Sequence, residues 1–319
     1  MSLTKVDLAA LRLAQLGSGR QKSASQGEHM ASVLITGSSK GIGMATALVL
    51  GHAGHKVYAT MRSPSRCPDL ARNAERENLA ISVLTMDVDS DASVKKTVDA
   101  IQAQQGPIDA LVNNAGIERR GSVEELSISA FREVMETNYF GALRCIQAVL
   151  PAMRECRSGC IINITSISGR ISASPFAPYA ASKFALEALS EALAQEAKMF
   201  NVRVAIVEPG IIDTPMARGV LDTVGVSIYP HLRRTTGLFA ASLQKPVPPL
   251  LVGQKVREIL ESDTWTLRHP IGPDAQPFIE WRASMTDEQW IDWGAADDDA
   301  WYEGVQRDFG LDARSQATL

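Results

Sequence analysis

A tyrosine and a lysine four residues apart, Tyr179-Ala180-Ala181-Ser182-Lys183, are the residues of this chain best placed to do chemistry. If the segment is helical, the two side chains share one face, one turn apart. A free phenol titrates near ~10, too high for an efficient base at neutral pH, and a neighbouring ammonium would favour its ionised form. The spacing alone is weak, so its surroundings decide. Ser166 lies upstream, and a glycine-rich turn, Thr36-Gly37-Ser38-Ser39-Lys40-Gly41-Ile42-Gly43, stands near the start of the chain. A phenol, a hydroxyl and an ammonium beside a phosphate-cradling turn point to proton transfer coupled to nicotinamide redox chemistry.

These residues need a frame. Short apolar runs rich in β-branched residues recur at Ser32–Thr36, Lys56–Thr60, Ile81–Met86, Ile108–Val112, Cys160–Thr165, Val202–Val207 and Thr264–Leu267. Helical patterns fill the intervals at about 42–53, 64–78, 90–105, 129–156 and 179–200. Continuous apolar strands alternating with helices predict an α/β fold, a doubly wound parallel sheet of about seven strands with helices on both faces. Residues 31–319 read as one catalytic domain. Residues 211–249 lack clear periodicity and are expected to cover the site, because long connections after strand ends commonly do so. The tail from about 285 to 319 opens with a capping box at Thr286–Gln289 and carries Trp290, Trp293, Trp301, Tyr302 and Phe309. Docking of a terminal helix pair explains these aromatics most simply; a substrate lid or a subunit contact is the alternative.

The glycine turn follows a predicted strand and opens a predicted helix. Gly37 permits the turn, and Gly41 and Gly43 are expected to let a pyrophosphate approach backbone N–H groups at the helix end. With the spacing Gly-x-x-x-Gly-x-Gly, the chain resembles the short-chain dehydrogenase/reductase family. Asn113-Asn114-Ala115-Gly116 closes the fourth predicted strand, Asn138 sits in the next helix, and Ser166, Tyr179, Lys183, Pro209-Gly210 and Thr214 follow in order. The resemblance is strong over about 31–217 and weaker beyond. There Arg268-His269-Pro270-Ile271-Gly272-Pro273-Asp274-Ala275 still looks like members of the 17β-hydroxysteroid and retinol dehydrogenase type.

The resemblance implies a Rossmann fold and a role for each matching residue. Tyr179 is the expected acid–base group. Lys183 serves the phenolate and the cofactor ribose, Ser166 binds the substrate oxygen, and Asn138 supports a water and proton relay. Cofactor contacts are expected from Gly37, Ser39, Lys40, Gly41, Ile42, Gly43, Arg62, Asp87, Val88, Asn114, Ala115, Gly116, Tyr179, Lys183, Pro209, Gly210, Ile212 and Thr214. Asn114 is alternatively a brace between strands. The second predicted strand ends Ala59-Thr60-Met61-Arg62 without the carboxylate that would bind a free 2′-hydroxyl. Lys40 and Arg62 match the basic positions of NADP-preferring relatives, so NADP(H) is expected over NAD; solvated surface cations are the bland alternative. Ser168, Ile171, Phe176, Ile211, Met216 and Tyr229 are expected around the carbonyl, with Glu118, Arg119 and Arg120 adding polarity at the rim. They suit a hydrophobic ketone, aldehyde or secondary alcohol. A catalytically silent NADP(H)-binding regulator and an oxoacyl-thioester reductase are the rivals. The complete Ser166, Tyr179 and Lys183 set argues against the first, and the acidic balance argues against the second.

Bulk composition agrees. The chain has 319 residues, 45% hydrophobic and 21% charged, with net charge −4, which disfavours a broad nucleic-acid surface. No apolar run approaches the ~20 residues of a membrane span. Cys67, Cys145, Cys156 and Cys160 and the five histidines show no metal-ligand spacing. They read as reduced thiols and solvated imidazoles of a cytoplasmic protein. Residues 1–30 differ in composition. His29-Met30 is the dipeptide of a common cloning junction, so Met30 is the expected native start and the preceding residues an appended leader; a genuine N-terminal extension is the alternative. A homodimer or homotetramer contact is expected through the two long helices, with Phe131, Val134 and Leu186 or Leu189 on the faces concerned; burial inside the subunit explains any one of them equally well.

Overall fold

Val33, Leu34 and Ile35 are completely buried yet face opposite ways. Val33 and Ile35 enter one core cluster and Leu34 the other. This two-residue alternation is what a strand covered on both faces produces. The computed structural model describes residues 30–222 and 227–317. The expected leader, apart from Met30, and residues 223–226 of the expected lid lie outside the described residues.

The strands are β1 (Ser32–Ile35), β2 (Lys56–Met61), β3 (Ile81–Thr85), β4 (Ala110–Asn113), β5 (Gly159–Ile164), β6 (Val202–Pro209) and β7 (Arg268–Ile271). They form one sheet in the order β3-β2-β1-β4-β5-β6-β7, and every pair is parallel. The helices are α1 (Gly41–His52), α2 (Asp69–Arg76), α3 (Asp91–Gln105), α4 (Ile128–Met135), α5 (Gly141–Cys156), α6 (Ala177–Lys198), α7 (Pro215–Arg218), α8 (His231–Ser242), α9 (Leu250–Glu261), α10 (Ala275–Ala283), α11 (Asp287–Ala295), α12 (Asp298–Phe309) and α13 (Ala313–Gln316). Apolar residues of α1, α2 and α9 cover one sheet face. Those of α3, α5 and α6 cover the other. This is a Rossmann-type doubly wound sheet. Strand order reverses between β1 and β4, and the crevice at the carboxyl ends of these strands is where such sheets hold ligands.

Three expectations about the elements change. The last strand is Arg268–Ile271, not Thr264–Leu267. It accommodates Pro270 because β7 is the sheet edge, where a missing N–H on the open side costs nothing. The helix expected over 129–156 is α4 and α5 joined by a π turn at Glu136–Phe140, a local widening often found at functional sites. Val134 and Leu186, expected at a subunit contact, are buried within the chain. The capping box at Thr286 and Gln289 is formed. Behind it Trp301, Tyr302, Val305 and Ala313 make a third small core with Leu238, Trp293 and Phe309. Among the described residues no helix is long and apolar enough to cross a membrane.

Candidate active site

The glycine turn is clamped from β4. Thr36 Oγ1 accepts the backbone N–H groups of Asn114 (3.0 Å) and Ala115 (2.9 Å). In return the Asn114 carboxamide donates to the Thr36 and Gly37 carbonyls, at 2.9 and 3.1 Å. Asn114 is therefore a brace between the two strand ends as well as a wall of the site. Gly37 has φ +69°, and a β-carbon there would stand 2.7 Å from Ala115 Cα, so only glycine fits. The first turn of α1 has no acidic residue and no side-chain cap. Its free N–H groups and positive dipole end are suited to an anionic diphosphate. Gly43 departs from expectation. It does not line the cavity; a β-carbon there would run into the Asn114 amide and reach 2.5 Å from the Gly37 carbonyl. It is a packing residue beneath the turn.

The end of β5 and the first turns of α6 set the acid–base group. Ser166 follows β5, and its hydroxyl lies near enough to the Tyr179 phenol to lower its pKa while accepting the Ser168 N–H at 3.1 Å. Lys183 is 4% exposed. Its ammonium donates to the Ile164 carbonyl at 2.9 Å and stands 5.6 Å from the centre of the Tyr179 ring. Burial pushes the Tyr179 phenol up to about 12, against the lowering effect of the Ser166 hydroxyl; the Glu118 carboxylate pushes the same way as burial. Burial also brings Lys183 down to about 8, against the attraction of Glu187. The expected lowering of the phenol by Lys183 is thus overridden in the protein alone, because desolvation weighs on both groups.

Asn138 lies in the π turn and does not line the cavity. Its carboxamide oxygen accepts the Ile117 N–H at 2.8 Å, and its nitrogen donates to the Ile117 carbonyl and to Ser182 Oγ, both at 2.9 Å. The side chain is committed to bracing, so any relay must use other atoms. A second brace was not expected: Asn113 donates to Asn163 at 2.8 Å, and Asn163 to Ser190 at 2.7 Å, tying β4 to β5 and α6.

These elements enclose a cavity of about 910 Å³. Apart from Gly43 and Asn138, every residue expected at the cofactor or the chemistry lines it. Ser168, Ile171, Phe176, Ile211 and Met216 line it as expected. Tyr229 does not: it is exposed, and its phenol faces Glu124 at the surface. Glu118 and Arg120 form a shielded ion pair at 3.3 Å, while Arg119 turns outward to Glu133. The far wall comes from the tail. Trp281, Trp290, Trp293 and Phe309 join Phe239 of α8 there, and Trp290 Nε1 donates to the Ser172 carbonyl at 3.2 Å. The tail is therefore both a docked helix pair and a wall of the site. Sequence patterning gave the aromatics but not the surface they meet.

At the opposite end, Lys40 and Arg62 line the cavity mouth, exposed and without an ion pair among the described residues. Asp87 and Asp89 lie beside them. Asp89 was not singled out from sequence. It accepts from Thr137 at 3.0 Å, its other oxygen is buried without a partner, and burial raises its pKa. That oxygen offers an acceptor to an amine such as that of adenine. The glycine cradle, the uncapped helix end, the two exposed cations and this acceptor together fit a nicotinamide dinucleotide.

The chain matches the family model described as short chain dehydrogenase over residues 31–224. It is 38% identical over 237 residues to retinol dehydrogenase 8 of Homo sapiens, covering 72% of this chain and 75% of the relative. It is 42% identical over 183 residues to 3-ketodihydrosphingosine reductase of Bacteroides thetaiotaomicron, covering 57% of this chain and 64% of that relative. Among solved structures, a short-chain dehydrogenase from Streptomyces avermitilis matches with TM-score 0.70 and 30% identity, over 88% of this chain and 98% of the other. An actinorhodin polyketide ketoreductase with NADPH matches with TM-score 0.69 and 28% identity, over 79% and 99%.

Proposed function

Because the chain belongs to the short-chain dehydrogenase/reductase family, we propose that it is an NADP(H)-dependent oxidoreductase. It moves hydride between nicotinamide and a hydrophobic ketone, aldehyde or secondary alcohol. The observation that carries this reading is the Tyr179 phenol, beside the Ser166 hydroxyl and backed by the Lys183 ammonium, in the wall of a cavity with a largely apolar far side. Support for the cofactor comes from Lys40 and Arg62 at its mouth and from the NADPH carried by a similar ketoreductase.

Hydride transfer to or from carbon is the chemistry that NADP(H) supplies when bound. The protein's residues do the rest. Ser166 and Tyr179 hold the substrate oxygen, and Tyr179 gives it a proton on reduction or takes one on oxidation. Lys183 favours the phenolate by its charge and offers its remaining N–H groups to the ribose hydroxyls. The α1 N-terminus takes the diphosphate, with Asn114 to Gly116 and Pro209 to Ile212 as flanking walls and Thr214 beside them. A silent regulator would not need Ser166, Tyr179 and Lys183 together. The protein is read as a cytoplasmic homo-oligomer. Phe140 and Phe184, 42% and 41% exposed on the long helices, are the candidates for the contact in place of Val134 and Leu186.

Cofactor choice is the sharpest test. A hydrogen bond to a charged group contributes ~1.5–3 kcal/mol, so Arg62→Ala should weaken NADPH by roughly 10- to 100-fold and leave NADH nearly unchanged. The readout is the ratio of kcat/KM for the two cofactors with one carbonyl substrate at fixed salt. A wild type that prefers NADH, or a ratio indifferent to Arg62→Ala, removes the NADP assignment.

A further inference from the structure

Three consecutive residues after the core of β5 each hold one residue of α6. The Ile164 carbonyl takes the Lys183 ammonium, Thr165 Oγ1 donates to the Glu187 carboxylate at 2.7 Å, and the Ser166 hydroxyl lies beside the Tyr179 phenol. Tyr179, Lys183 and Glu187 are spaced by four, so they stack on one helix face. Tyr179 and Lys183 have roles in the proposed reaction. Glu187 has none, yet it is 4% exposed; burial pushes its carboxyl up, with Glu208 acting the same way, and the Thr165 hydrogen bond and the Arg268 guanidinium oppose them.

We propose that Glu187 is a positioning residue for Lys183, its buried carboxylate holding that side chain as an ammonium beneath Tyr179.

The surrounding charges explain why the carboxylate is needed. Glu187 accepts from Arg268 Nε of β7 at 3.0 Å. The same guanidinium donates to Glu191 at 2.9 Å and stands 3.9 Å from Glu208 of β6. Glu208 is 0% exposed; one of its oxygens accepts from Arg170 at 3.1 Å, and the other has no partner. Three carboxylates, Glu187, Glu191 and Glu208, thus face two guanidinium groups, Arg170 and Arg268, and a charged Lys183 brings the cluster to neutrality. From the cavity side the Glu118 carboxylate acts on Tyr179. Among the described residues Lys183 has one hydrogen-bond acceptor, the Ile164 carbonyl. A single carbonyl does not offset the desolvation of an ammonium, and an anion one turn away does so electrostatically without taking the N–H groups that the cofactor needs. Arg268 gives the Arg268–Ala275 motif a part in this site: it anchors Glu187 from the edge strand.

The inference rests on the proposed reaction only where activity is measured, because the protonation state of Lys183 can be read directly. Side-chain NMR of protein carrying isotope-labelled lysine, with Lys183 assigned from its loss in Lys183→Arg, gives the titration. In the wild type Lys183 is an ammonium at pH 7. In Glu187→Gln, which keeps size and most hydrogen bonding, its midpoint falls by about one unit, a tenfold loss of proton affinity, and Glu187→Asp restores much of the shift. Alcohol oxidation by Glu187→Gln then loses about twofold in kcat at pH 7, approaching tenfold above about pH 9, with the alcohol KM unchanged. A neutral Lys183 in the wild type at pH 7, or an unmoved midpoint in a folded Glu187→Gln protein, overturns the proposal. The wild-type titration decides even if the variant does not fold. If no alcohol or carbonyl is turned over by the wild type, the oxidoreductase reading fails and the lysine titration still stands on its own.

Discussion

Asp274 accepts the Ile211 amide hydrogen at 2.7 Å across 63 residues of sequence. The β7 carbonyl of Ile271 takes the Gly210 N–H at 3.0 Å just beside it. The edge strand and the residue that follows it thus pin Pro209 to Ile212, a wall of the cofactor side of the cavity. The other Asp274 oxygen is buried without a partner, and burial raises its pKa.

Asp274→Ala should therefore damage the cofactor site without touching the catalytic tyrosine. A hydrogen bond to a charged acceptor contributes ~1.5–3 kcal/mol, and its loss leaves the Ile211 N–H unsatisfied. Stability should fall by that order, and NADPH should bind roughly tenfold more weakly as the segment loosens. Denaturant titration and fluorescence titration with NADPH measure the two effects. Unchanged NADPH affinity would make the Asp274 contact purely structural.

Lys183 carries a stability cost that its removal should reveal. Its pKa falls from 10.5 unfolded to about 8 folded. Between those values the native protein binds fewer protons than the unfolded chain, so this group's contribution to stability improves as pH rises through that window. Below about pH 8 the full cost stands, roughly 3 kcal/mol by the same linkage. Lys183→Met should be inactive yet more stable at pH 7, with the gain shrinking towards pH 10. Urea unfolding at the two pH values checks this; a variant less stable at pH 7 than the wild type would show that the ammonium is net favourable where it lies.

Trp290 joins the tail to the loop after β5 through Ser172, stacks on Trp293 with ring centroids 5.2 Å apart, and carries the Arg282 guanidinium over its face at 5.3 Å. Both Trp290 and Ser172 line the cavity. Trp290→Ala should open this wall. For a bulky apolar ketone KM should rise roughly tenfold, equivalent to ~1.4 kcal/mol of lost contact, while a small aldehyde keeps its kinetic constants. Equal effects on both substrates would assign Trp290 to stability rather than to substrate fit.

What the sequence showed and what it hid follow from the range of the interactions. The glycine turn, and Tyr179 with Lys183, are local patterns tied to one strand end or one helix face, so their spacing located them once the rest of the motif set was in order around them. Ser166 was brought to Tyr179 by the family resemblance. Gly43's contact with Asn114, at the end of another strand, and Asn138's side-chain bonds to Ile117 and Ser182 were not legible, because each is made to a residue distant in sequence. Glu187 and Arg268 lie 81 residues apart, and nothing near either one announces the other. Pro270 is acceptable in β7 because that strand is the sheet edge, and sequence does not say which strand is the edge. Tyr229 sits on the far side of residues 223–226, and no periodicity in that stretch fixed its direction.

The central claim is that Tyr179 exchanges a proton with the substrate oxygen during nicotinamide redox chemistry. The most direct measurement is NADPH consumption by wild type and Tyr179→Phe with a panel of hydrophobic ketones and aldehydes, alongside NADPH binding to both proteins. The ring packing survives this substitution and the transferable proton does not, so turnover should fall by at least the ~10²–10⁴-fold typical of general acid–base catalysis while NADPH affinity stays nearly the same. Turnover near the wild-type level in Tyr179→Phe would contradict the account.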